Sequence, residues 1–319
     1  RFDGDDGLQV HVAKGKVRVE PRLKSMAKAE LTKGQAMTFD VYGSSHVTDY
    51  RASLFRQKFS RSIPYLHWSF DQMVDGQFMA TGTISGADDY QAKIRHLKTS
   101  VELDDVGEFQ TVGRFGNAFS IDGNGIFAET TFPGIGGNTP RTFAGWVRHQ
   151  SRVNISDRKW GRNPYCVWGR HHGDGDFGHA WMIFLSNRKD PQLSTSSYGC
   201  FRVADVSQDD LTEWMHVASV YTGKSDEKGY PEILHYINGV LQVSQAKHYK
   251  QYERATTTVD TDISSEVAMP VRFGAPLLKV DNPSTLDADL DEFYLFRGVL
   301  TAEQIKALMA ENRIDFASE

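Results

Sequence analysis

The sequence predicts an all-β protein: a two-sheet antiparallel sandwich with a short C-terminal helix and a small N-terminal β segment. Short apolar/polar alternating runs recur at spacings of about 8–20 residues, broken by Gly and Asn turns. Apolar residues make up 39% of the chain and aromatics 12%, enough for a large core. The last alternating run, Leu290 to Leu300, leads straight into a helical pattern. At 319 residues the chain has room for one large β domain or two smaller ones.

The first elements are short. Leu8–Ala13 alternates, Lys14-Gly15-Lys16 turns the chain, and Val17–Glu20 alternates again, which is a hairpin pattern. Ala29–Phe39 repeats it around Lys33-Gly34. Charge then divides the chain. Residues 1–61 hold 12 Lys/Arg and 7 Asp/Glu, a net of +5, and residues 62–319 hold 24 and 34, a net of −10. The shift marks a boundary, with residues 51–64, including the basic Arg56–Arg61, as a linker between a segment at 1–50 and a main domain at 65–319.

In the main domain Tyr65–Asp71 places Trp68 and Phe70 on one strand face. Residues 77–112 read as loop-rich, with one or two edge strands. Phe115–Gly123 is a strand and turn. Arg141–Val147 sets Phe143 and Gly145 against Ala144 and Trp146 on opposite faces. Further strands are expected at 164–169, 179–186, 198–203 and 213–221. Residues 232–241 form a hairpin around Asn238-Gly239, then 271–274 and 290–296 complete the sheets. Trp146 and Trp214 sit mid-run among apolar neighbours and are expected in the core. Thr301 is the expected N-cap of the closing helix, with Gln304 completing a capping box and Ile305, Leu308 and Met309 forming the apolar face.

Several function classes find no support. A net charge of −5 gives no basis for nucleic-acid binding, and no apolar run is long enough to span a membrane. There is no nucleophile elbow, Walker loop or dinucleotide fingerprint. Two cysteines, Cys166 and Cys200, make no disulfide framework, and buried thiols are expected for both. The chain opens at Arg1 without Met, as a processed fragment would.

The motifs Trp68-Ser69-Phe70-Asp71, Phe119-Ser120-Ile121-Asp122-Gly123, Phe143–Val147, Trp214–Ala218, Tyr236–Gly239 and Leu290-Asp291-Glu292 follow one another in a characteristic order. Over residues 65–312 the chain thereby resembles laminin-G-like jelly rolls of the concanavalin A-like superfamily. Val10–Val19 followed by Leu31–Gln35 resembles the closing strands of FecR-like domains, periplasmic regulators of sigma factors. Together the resemblances imply a bacterial periplasmic or cell-surface module that binds a polysaccharide or an extracytoplasmic protein and is attached to a FecR-like regulator. They also imply a structural Ca2+ where the first and last strands meet, held by Asp71, the Gly116 region and Asp291, with Asp287 and Asp289 as acidic neighbours; a solvated acidic edge is the alternative reading of the same residues.

Ligand contacts are expected at the sandwich rim. The run Arg170-His171-His172-Gly173-Asp174-Gly175-Asp176-Phe177-Gly178-His179 joins two strands carrying Trp168 and Trp181, and Trp160 stands in a polar stretch with no core to join. Trp160, Trp168, Arg170, His171, His172 and Trp181 are therefore the candidate ligand residues. A plain polar hairpin is the simpler account of this run, since Gly-Asp-Gly-Asp is ordinary turn chemistry, and a transition-metal site is a further alternative that lacks the usual His spacing. Glycosidases need a carboxylate pair. The Glu-x-Asp-x-x-Glu strand of laminarinase-type relatives is absent, with Asp287-x-Asp289-x-Asp291-Glu292 the nearest run. A lyase or hydrolase site built from Arg148, His149, Arg170, His172 and Tyr236 is the catalytic alternative, and a ligand-free spacer is the structural one.

Overall fold

The computed structural model describes residues 8–11, 16–19, 29–32, 35–39, 45–49, 63–97, 109–150, 162–170, 179–186, 191–197, 200–248, 259–275 and 285–313. The chain divides into two compact units with the break between Ser62 and Ile63. In the first, β1 (Leu8–His11), β4 (Gln35–Phe39) and β5 (Ser45–Asp49) form an antiparallel sheet, and β2 (Lys16–Val19) pairs with β3 (Ala29–Thr32).

The second unit is a single antiparallel hydrogen-bonded network folded into two layers. The first layer centres on β22 (Asp287–Phe296). Its N-terminal half pairs with β10 (Asn117–Asp122), itself paired to β9 (Gln110–Val112), and its C-terminal half pairs with β6 (Tyr65–Val74), itself paired to β7 (Gln77–Gly82). On its other edge lie β12 (Arg141–His149), β17 (Met215–Ser225), β18 (Pro231–Ile237) and β19 (Val240–Leu241). The second layer runs β8 (Ala92–His96), β11 (Ile126–Thr130), β21 (Ala268–Phe273), β13 (Arg162–Arg170), β14 (His179–Ser186), β15 (Gln192–Ser197), β16 (Cys200–Asp205) and β20 (Gln245–His248). A β7–β8 pairing links the layers.

The two layers face each other through aromatic side chains. Trp68, Phe70 and Phe293 of the first meet Phe273 of the second at ring separations of 5.1, 5.8 and 5.3 Å, and Trp181 meets Tyr221 at 5.5 Å. The alternation expected for β12 is present: Phe143 and Val147 point into this core, while Trp146 points outward against His216. Trp146 is buried there by other means, and Trp214 is only half-buried and outside the core, which corrects the expectation for it. Its position directly before β17 places it at the open end of the layer.

The region read as loop-rich carries β7, β8 and β9, and β15 lies where no strand was expected. Its Ser-Thr-Ser-Ser composition hides the pattern, yet Ser194, Thr195 and Ser197 are buried. Cys166 is a buried free thiol. The closing helix α1 (Ala302–Glu311) has the expected box: Gln304 N donates to Thr301 Oγ1 at 3.2 Å and Thr301 N to Gln304 Oε1 at 2.9 Å.

Candidate functional site

Two places in the sandwich concentrate chemistry. The first is a rim cleft where β13 ends and β14 begins. Gly137 and Thr261 exchange backbone hydrogen bonds of 2.7 and 3.2 Å, and Asp262 N donates to His179 O at 2.9 Å. These bonds hold the Asp260–Ser264 segment beside Arg170. Asp262 accepts Ser264 N and Ser265 N on Oδ1 and Arg170 Nε on Oδ2, all at 3.0 Å. Burial raises the Asp262 carboxyl, but these donors outweigh it and hold the group well below the usual carboxylate range. His179 Nδ1 lies 2.8 Å from the Asp260 carbonyl oxygen and 3.4 Å from its carboxylate. Gly137, Arg170, His179, Asp260, Thr261, Asp262, Ile263 and Ser264 surround a cleft of about 510 Å3.

Below the cleft lies Arg141, 1% exposed. Its guanidinium donates to the carbonyl oxygens of Ile135, Gly136, Gly137 and Thr139 and to Thr261 Oγ1, at 2.5 to 3.5 Å. Its carbon sits 4.9 Å from the Trp181 ring centre and 5.9 Å from those of Trp168 and Tyr221. Burial lowers its pKa to about 9.

Trp168 and Trp181 are therefore not rim platforms, as the sequence suggested. They are cross-strand partners on the inner face, 0% and 1% exposed, and serve as walls for the Arg141 cation. Arg170 does line the cleft. Trp160, His171 and His172 lie outside the described residues. Sequence reasoning missed Arg141, Asp260, Thr261 and Asp262. Arg141 opens an apolar strand, and the Asp260-Thr261-Asp262 run was the available signal for the rest.

The second place is a pair of adjacent bulges. Phe70 and Glu292 have left-handed φ of 62° and 53°, although neither is glycine. The β12–β22 register shifts between Ala144 and Trp146, so Asp291 and Glu292 both leave the inward-facing alternation. Gly145 is required opposite, because a Cβ there would fall 2.3 Å from Phe293 Cδ1. Glu292 pairs with His67, whose ring stacks on Tyr294 at 3.9 Å. Asp291 Oδ2 accepts Arg114 N at 2.6 Å and Phe115 N at 2.9 Å, and Asp71 Oδ1 accepts Asn117 N at 2.8 Å. Two carboxylates thus hold the Gly113–Asn117 turn, and Gly116 touches Asp71 so closely that no side chain fits between them.

Asp71, the Gly116 region and Asp291 are thereby brought together. Asp291 Oδ1 is buried with no partner. Burial, reinforced by the charges of Glu292 and Asp71 and opposed by the Phe115 and Arg114 N–H groups, pushes its carboxyl up to about 8. An all-oxygen donor set with an unsatisfied carboxylate oxygen fits Ca2+. Among the described residues no three metal-ligating side chains cluster, so backbone carbonyls of the turn would complete the shell. The Gly116 carbonyl already accepts Gly113 N at 2.9 Å and keeps a second lone pair.

No family model matches the chain, and no curated protein does. Among solved structures, domain 4 of AbnA, a GH43 extracellular arabinanase from Geobacillus stearothermophilus, in complex with arabinotriose, is similar with a TM-score of 0.49. Identity is 16% over 78% of this chain and 100% of that one. The binding domain of Paraclostridial Mosquitocidal Protein 1 gives 0.45 at 13% identity, over 79% of this chain and 53% of that one. Trypanosoma rangeli sialidase gives 0.44 at 10%, over 87% and 42%.

Proposed function

We propose that this protein is a recognition module that binds a glycan in the rim cleft formed by Arg170, His179 and residues 260–264. The observation that carries this is the cleft itself: about 510 Å3, open to solvent, and lined mainly by polar groups. Arg170 pairs with Asp262, and His179 lies beside Asp260. Such a wall offers side-chain and backbone donors and acceptors, which suits a hydroxyl-rich ligand. Structural Ca2+ at Asp71 and Asp291 belongs to the same proposal, supported by the unpartnered Asp291 oxygen. Its role there is to hold the Gly113–Asn117 turn and neutralise the carboxylates. The likeness of residues 1–50 to FecR-like domains supports an extracytoplasmic setting, attached to a periplasmic regulator.

Affinity electrophoresis of the full chain against a β-glucan, a xylan and a galactomannan tests this, with calcium or chelator present and released oligosaccharide recorded. Retention without product is expected, weakened by Arg170→Ala. Product release would make the module an enzyme. Retention by none of the glycans would leave a protein ligand or a spacer role.

A further inference from the structure

The outer face of the first layer is built in cross-strand rows. Tyr294, Ala144 and Ala218 form one, anchored to α1 through Tyr294 Oη donating to Asn312 O at 2.9 Å. Asp291, Trp146 and His216 form the next, roofed by the Gly113–Asn117 turn, with the Arg114 guanidinium 5.1 Å from the Trp146 ring centre. The last row is Asp289, Arg148 and Trp214. In this row Trp214 and Arg148 are only half-buried.

This last row is prearranged. Asp289 is 1% exposed, yet its charge is not stranded. Oδ2 accepts Arg148 Nε at 2.9 Å and Nη2 at 2.8 Å, and Oδ1 accepts Gln150 Nε2 at 2.6 Å. A buried carboxylate thus fixes two outward-reaching side chains. With those atoms committed, Arg148 still offers Nη1 as a donor and the exposed Gln150 offers Oε1 as an acceptor. The Arg148 guanidinium carbon lies 4.7 Å from the Trp214 ring centre, so the indole is held in place as well. Asp289 cancels the arginine charge, so an anionic group gains little here. A half-exposed indole beside one fixed donor and one fixed acceptor matches a neutral pyranose, whose C–H face packs on an aromatic while its hydroxyls bridge donor and acceptor.

We propose that Trp214, Arg148 and Gln150 form a second contact for neutral glycan, separate from the rim cleft. It rests on the glycan chemistry of the cleft proposal but on none of its residues. The test is affinity electrophoresis of the full chain in the same β-glucan, xylan and galactomannan, with alginate as the anionic control. Wild type, Trp214→Ala, Gln150→Ala and Arg170→Ala are compared, with thermal unfolding of each variant confirming its fold. Gln150 is exposed, so its variant keeps the test valid if Trp214→Ala unfolds. The expected result is a roughly tenfold or larger loss of affinity for a neutral glycan in Trp214→Ala and a smaller loss in Gln150→Ala. If Arg170→Ala alone weakens retention, the outer-face contact is overturned and the cleft stands. If only the outer-face variants weaken it, the cleft falls and this contact stands. Alginate preferred over every neutral glycan, or no retention of the wild type at all, overturns it.

Discussion

The space between the layers and the outer face of the first layer both bury ionisable side chains, but they treat them differently. Inside, Arg141, His149 and His235 are all answered. Arg141 directs its N–H groups at carbonyls and a hydroxyl. His149 Nε2 lies 2.8 Å from Tyr165 Oη, and His235 lies 2.8 Å from Thr195 Oγ1 and 3.1 Å from Ser244 Oγ. On the outer face, Asp291 Oδ1 and His216 Nδ1 are buried without a partner, on either side of Trp146 in one row. An unmade hydrogen bond to a buried group costs about 1–3 kcal/mol. Arg141, His149 and His235 are satisfied inside, whereas Asp291 and His216 are neighbouring orphans on the outer face. There the bulged Asp-Glu pair costs further strain.

The sharpest way to break this contrast is to remove the answered cation. Arg141→Met leaves the carbonyls of Ile135, Gly137 and Thr139 without their donor and loosens the cleft floor. A loss of about 3–5 kcal/mol in urea unfolding is expected, near the cost of breaking a buried charged network. A loss under about 1 kcal/mol would mean that the interior bonds are incidental.

A smaller effect comes from pH, and the two regions share it, because burial also lowers His216 on the outer face to about 3. Burial lowers His149 to about 4 and His235 to about 3, against 6.5 in the unfolded chain. Below pH 6.5 the unfolded chain takes up protons that the folded one refuses. Their stabilisation is therefore complete above 6.5 and lost as pH falls toward 4 and then 3, by at most ~1.4 kcal/mol per pH unit for each histidine. Urea midpoints at pH 7.5, 6 and 5 measure this. Asp291, pushed up to about 8, slopes the other way in this window, so the drop is read in Asp291→Asn, where a flat profile would place these histidines in water.

The sandwich was legible in the sequence because inward alternation and turn residues are local signals. Trp68, Phe143, Phe293 and the Thr301 box fell where the periodicity put them. The carboxylates at Asp71 and Asp291 were legible through the resemblance alone, since no spacing reveals that residues 220 positions apart meet at twin bulges. The rim was read less well. Trp168 and Trp181 looked like exposed platforms because they flank a polar run. Alternation fixes a shared face without telling which face is inside, and a buried cation then uses both indoles. Trp214 failed in reverse: an apolar run suggested core, but it ends one residue before the strand begins.

The smallest expected effect concerns the orphan itself. Asp291→Asn keeps an oxygen that can accept Arg114 N and Phe115 N while removing a carboxyl whose charged form burial, Glu292 and Asp71 disfavour. In chelator the variant should therefore match the wild type within about 1 kcal/mol, or exceed it, unlike most substitutions at a fully buried position. With calcium the order reverses, because a ligand that binds only the folded state stabilises in proportion to its occupancy and the amide is a poorer ligand than the carboxylate. Thermal unfolding of both proteins in chelator and in millimolar calcium decides it. If Asp291→Asn is strongly destabilised without calcium, the carboxylate charge is needed for the turn alone. His216 Nδ1 would then be the orphan that remains in this row, and the contrast with the interior would rest on it alone.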